Sequence, residues 1–218
     1  MRWWKEERGN AMLLTLGTVA IMAIMLIIVA NFSKVFIVKE IASSTAEQAS
    51  LVAAAIVVEK VKEEIEEYED TLKGKLEDLL DESLTEKIEK RKQAIQHETN
   101  WLKHELEIRA MNDVLTEELK AGNNELRVFL LKAMQRATNE IPSIVENNIK
   151  ANNGKVNGTI ISINENNRLQ VETHVEYSMM KLDKYVPGDK QQVKQKSESP
   201  SLSFFRELGY NGWKYEFR

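Results

Sequence analysis

There is no cysteine among the 218 residues of the chain, which excludes disulfide staples, thiolate nucleophiles and thiolate metal ligands together. Proline and histidine occur three times each, so helices are seldom interrupted and imidazole chemistry has few places to act. Neither sign of charge dominates: 30 basic against 34 acidic side chains leave a formal net charge of -4, without the positive field that nucleic acid requires. A Gly-rich phosphate loop, G-x-S-x-G and H-E-x-x-H are also missing. No catalytic, cofactor-binding or metal-ligating residue is expected, and the chain reads as a non-enzyme.

What the chain does have is a long uncharged run. From Gly9 to Ser33 no residue is charged, and Ala11 to Phe32 (AMLLTLGTVAIMAIMLIIVANF) exceeds the roughly 20 residues that span a bilayer. A secretory signal has an apolar region of only about 7–15 residues and ends at a small-residue cleavage site. Here Lys34-Val-Phe-Ile-Val-Lys39 follows instead, so a retained transmembrane helix over 11–33 is expected. Trp3 and Trp4 suit the headgroup boundary. Arg2, Lys5 and Arg8 outweigh Lys34 and Lys39, which predicts a cytoplasmic flank at 1–10 and an extracytoplasmic C-terminal region on the cell membrane. About ten residues inside are too few for a signalling domain.

Beyond the apolar run, Ala42, Ala46, Ala49 and Ala53 recur at 4-3-4 spacing, aligning small side chains on one helix face. The expectation is a packing face for a partner helix, set against a plain exposed alanine face, since alanine is the best helix former. Val58, Val61, Ile65, Tyr68, Leu72, Leu76 and Leu79 continue the alternation among glutamates and lysines, as a coiled-coil-like helix does. Ser83 with Glu86 is a capping box that predicts a second helix running to about Lys120. Ala121-Gly-Asn-Asn124 breaks it, a third helix covers Glu125 to Asn139, and Pro142 starts or kinks a short continuation ending at Asn152-Asn-Gly154. Residues 34–152 thus read as an extracytoplasmic helical region.

After Gly154 the period changes from helical to two. Val156 to Ile163 and Leu169 to Tyr177 read as strands joined through Asn164-Glu-Asn-Asn167, a hairpin link. Val186 to Ser203 is polar and reads as a flexible connection, and Tyr210-Asn-Gly-Trp213-Lys-Tyr-Glu-Phe217 as a turn and a docking strand. The expected fold is α+β: a transmembrane helix continuing into a long amphipathic helix, a helical hairpin region, and a small antiparallel sheet over 153–218 at the far end.

Candidate chemistry is sparse. His97 and His104, on the presumed second helix, are about 10 Å apart along its axis and cannot share one metal. The adjoining Glu98 and Glu105 point about 100° away from them. His174 falls on the polar face of a strand. The carboxylates from Glu59 to Glu89 alternate with lysines and read as a solvated helix face.

Arg8-Gly9 before the span, Phe36-x-x-Lys39 after it, and then Ala46-Glu47-x-Ala49-x-Leu51-x-Ala53-Ala54-Ala55 resemble the N-terminal region of the TadE/TadG-like family of Flp (tight adherence) pilus assembly. The resemblance covers about the first 55 residues. It implies a single-pass protein with its N-terminus inside, pseudopilin-like or accessory in a pilus or secretion-type assembly, with other assembly proteins as partners. Prepilin-type processing would cut after Gly9 and put Leu14 where pilins carry glutamate, so an uncleaved anchor is expected. The contrasting reading is an extracytoplasmic sensor or ligand-binding module on a coiled-coil stalk, which would need a concave site between the later helices and the sheet.

Overall fold

A computed structural model describes residues 7–71, 82–98, 103–177 and 191–218. The fold is α+β, as the periodicities predict. Helix α1, Glu7–Glu69, is continuous for 63 residues, because no proline interrupts it and apolar or alanine-rich segments run into one another. Its inward row Val58, Val61, Ile65 and Tyr68 is buried as expected. Leu72, Leu76 and Leu79 lie outside the described residues.

The predicted second helix is two: α2, Leu84–Glu98, and α3, Lys103–Lys120, which pack on each other. Ser83 caps α2 by accepting from the backbone N–H of Glu86 at 3.1 Å. Helix α4, Asn124–Ala151, is capped by Asn123, whose side chain accepts from Leu126 N–H. It continues through Pro142, so the expected helix start at that position does not occur. Proline in a helix interior costs about 3 kcal/mol. Against it stands an unbroken buried row, Leu130, Met134, Ala137, Ile141, Val145 and Ile149, lying along α1.

The sheet is antiparallel with order β3-β2-β1-β4. Strands β1 (Lys155–Ile163) and β2 (Leu169–Tyr177) form the expected hairpin. Strand β3 (Gln191–Glu198) pairs with β2 from Gln170 to Tyr177, correcting the prediction of a flexible segment over 191–203; residues 186–190 lie outside the described residues. Its sequence QQVKQKSE has one apolar residue, so the backbone ladder places it and the apolar alternation that marks a strand is missing. After it come a short helix α5 (Phe204–Leu208), whose Phe204, Phe205 and Leu208 are buried, and the predicted terminal strand β4 (Lys214–Glu216) on the β1 edge. β1 carries a bulge between Lys155 and Ile160 with Gly158 at φ 79°. There the Thr159 hydroxyl lies 3.0 Å from that of Thr173 and donates to Lys155 O at 2.8 Å.

One core joins these layers. Ala49, Ala53, Val57 and Val61 of α1 meet the buried row of α4, with Ile161, Leu169, Val171, Leu202 and Phe205 closing it from the sheet and α5. A second cluster, Val38, Ala42 and Val175 with Ile41, Tyr177 and Val193, seats α1 on β2 and β3. The sheet thus sits where α1 leaves its apolar half, and not at the far end of the helix.

Candidate functional site: a bare apolar helix and a polar groove

Helix α1 is divided in two. From Met12 to Phe32, and again at Phe36 and Ile37, its large apolar side chains are exposed, Leu14 and Leu26 by more than two thirds. It is long and apolar enough to cross a membrane, and its most apolar stretch has no part buried inside the protein. From Val38 onward the same helix becomes the spine of the domain. The Ala42, Ala46, Ala49 and Ala53 stripe is fully buried within this chain. Small side chains do admit close approach, but what approaches is the chain's own sheet and α4. Gly154 marks the tightest point: a Cβ there would lie 2.9 Å from Thr45 Cγ2 and 2.7 Å from Ile149 Cγ2. The partner face predicted at the four alanines is therefore occupied from inside.

The carboxylates are not merely solvated. Glu64 is 0% exposed and faces α4, where Arg136 Nη1 lies 2.6 Å from its Oε1 and Lys132 Nζ 3.0 Å from its Oε2. Glu63 binds Arg136 at 2.6 Å and Lys60 at 3.1 Å, and Glu67 binds Lys132 at 2.7 Å. The hydrogen bond from Lys60 holds Glu63 below the usual carboxylate range, and that from Lys132 does the same for Glu67. Arg136 is raised, chiefly by Glu64. This clasp joins two helices.

The predicted histidine positions separate. His97 stands on α2 and His104 on α3, so they do not share one helix; their side chains lie outside the described residues. His174 is on the polar face of β2, as read, yet is buried between Lys155 of β1 and Lys194 of β3 in the strand register. Burial pushes its imidazole below its ordinary value. Among the described residues no group of three His, Asp or Glu side chains is placed to hold a metal.

A concave feature lies between α3 and a wall formed by Arg168 with residues of the segment Pro200 to Glu207. One lobe of about 490 Å³ is lined by Glu105, Ile108, Arg109, Asp113, Arg168 and Pro200, among others, and a second of about 300 Å³ by Arg91, Thr116, Glu117, Lys120, Arg206 and Glu207. Asn112, Asp113 and Ser203 line both, so the lobes adjoin. Arg91 fixes one wall by donating from Nη2 to Asp113 Oδ2 at 2.8 Å, and Arg168 the other by donating to Ser199 O at 3.1 Å. The ligand-binding alternative calls for a concave site in this neighbourhood but assigns it no residues. The available signal was Asn112, one polar residue within the inward stripe Met111, Val114 and Leu115; Ser203 gave none.

The architecture defines a class: an α+β protein built on one long helix, half bare and half embedded. Compared with known proteins, the chain matches no family model, no curated protein and no solved structure.

Proposed function

We propose that the protein is a single-pass membrane component of a bacterial pilus or secretion-type envelope assembly, in a pseudopilin-like or accessory structural role, with its N-terminus cytoplasmic and its α+β domain extracytoplasmic. One observation carries this reading: the bare apolar half of α1 runs without a break into the buried spine of the domain. Ala11 to Ile37 measures about 40 Å at 1.5 Å per residue, enough for a hydrocarbon layer of about 30 Å. Apolar surface of that length exposed to water is unfavourable, and lipid or neighbouring helices remove the penalty. A continuous helix then transmits force or position from bilayer to domain. The order Arg8-Gly9, Phe36-x-x-Lys39, Ala46-Glu47 supports the assembly class by its resemblance to TadE/TadG-like N-termini.

Assembly contacts in this reading use the bare half of α1, because the alanine stripe is closed. Single cysteines introduced along Met12 to Val29 of the cysteine-free chain, expressed in bacterial membranes and oxidised, test it. Disulfide-linked species with helical periodicity are expected, and none from Ala42, Ala46, Ala49 or Ala53. A carbonate-soluble protein, or uniform absence of cross-links over Met12 to Val29, overturns it.

The groove favours a second reading, an extracytoplasmic ligand-binding module held at the membrane by the same helix. It differs from the first in requiring an occupant between α3 and α5.

A further inference from the structure

The groove beside α3 contains a group that folding leaves unsatisfied. Asn112 is 9% exposed, and its Oδ1 is sealed from solvent with no hydrogen-bond partner among the described residues. A buried amide left unpaired destabilises the fold, and such groups are normally satisfied by protein, water or ligand. Ser203, which also lines both lobes, precedes α5 without making a capping bond. The two stand at the junction of the lobes.

The walls give the chemistry. Helix α3 presents Glu105, Arg109, Asp113 and Glu117 at four-residue spacing beside Ile108, Asn112, Thr116 and Lys120 at the same spacing, two parallel rows along one side. Arg168, Arg206 and Glu207 line the groove as well. Both signs of charge therefore run along its length, which selects against a simple anion or cation. From Glu105 to Lys120 the helix rises about 22 Å, the span of an extended chain of about six or seven residues at 3.3 Å each. A carboxamide turned about its terminal torsion offers an acceptor or a donor, the two functions of a peptide unit.

We propose that this groove binds a short extended peptide carrying charges of both signs, its backbone hydrogen-bonding Ser203 and the Asn112 carboxamide, which turns out of its sealed position to meet it. The inference goes beyond the assembly role and does not depend on it. Side chains of one sign on the peptide lie by Arg109 and Arg168, and those of the other by Glu105 and Glu117. Asn112 is retained at a cost in stability because the ligand satisfies it.

The test uses the full chain in lipid nanodiscs and four fluorescein-labelled serine-rich hexapeptides: alternating lysine and glutamate, lysine only, glutamate only, and uncharged. Fluorescence anisotropy should show saturable binding for the alternating peptide and at least tenfold weaker binding for the others. Asn112→Leu should lower the affinity for the alternating peptide at least tenfold while leaving Tm equal or higher. Ser203→Tyr, which fills the junction from a partly exposed position, should lower it similarly and covers the case in which Asn112→Leu fails to fold. Absence of saturable binding, equal binding of singly charged peptides, or unchanged affinity in whichever of the two variants folds overturns the proposal.

Discussion

The carboxylate of Glu64 is sealed between α1 and α4 with the guanidinium of Arg136 2.6 Å from it, although the Arg136 side chain is itself 44% exposed. One partner is thus desolvated and the other reaches in from water, carrying its own hydration to the rim. Removal of the reachable partner leaves a charge that cannot regain solvent.

Arg136→Ala is therefore expected to lower Tm clearly, with Lys132 retaining part of the interaction. The double variant Glu64→Leu with Arg136→Met should recover most or all of the loss, since a well-packed apolar pair replaces a buried ion pair at little cost. Differential scanning calorimetry of wild type, Glu64→Leu, Arg136→Met and the double variant in the same micelles measures the coupling.

The same clasp sets an acid limb. The folded-state pKa values of Glu63 and Glu67 are depressed below their ordinary 4.5 by Lys60 and Lys132 respectively. Their contribution is complete above pH 4.5 and is lost as pH falls through the depressed values. Urea midpoints of wild type should decline below that pH, and Glu63→Gln with Glu67→Gln should reduce the decline.

His174 adds a second, milder limb. Its pKa is lowered by burial from an ordinary 6.5, so its neutral form fits the fold and its contribution is present above pH 6.5. Stability should fall as pH drops from 6.5 through the depressed value, and His174→Gln should flatten that portion of the curve. A profile unchanged by the substitution removes His174 as its cause.

At Gly154 a methyl group has no room, with Ile149 Cγ2 and Thr45 Cγ2 at 2.7 and 2.9 Å from the Cβ position. Gly154→Ala is expected to cost about 1–3 kcal/mol by overpacking. Thr45→Ser removes one of the two clashing methyls and should return part of that loss when combined with it. Chemical denaturation of the single and double variants reads both numbers.

Pro142→Ala should stabilise α4 by up to about 3 kcal/mol, because alanine restores an amide donor inside a helix that already runs through the position. The measurement is the urea midpoint at constant m-value. A destabilised variant would mean that the ring packs against something worth more than the missing hydrogen bond.

Much of this molecule is legible in its sequence. An uncharged run the length of a bilayer can only be a helix in lipid or a buried one, and the rows Val58 to Tyr68 and Leu169 to Val175 carry their own periods, 3.6 and two. The alanine stripe shows where that legibility ends. Spacing determines that four small side chains share a face; what covers the face is a matter of which segment returns to it, and here Gly154, the sheet and α4 do so from a hundred residues away. For the same reason β3 escaped detection, its place decided by hydrogen bonds to β2 in the absence of an apolar face of its own, and α4 overrode its proline because burial along α1 outweighs one missing donor. The groove is the furthest from the sequence. Asn112 and Ser203 belong to segments read as a helix and a loop, and only the packing of α5 on α3 brings both to the wall of one groove.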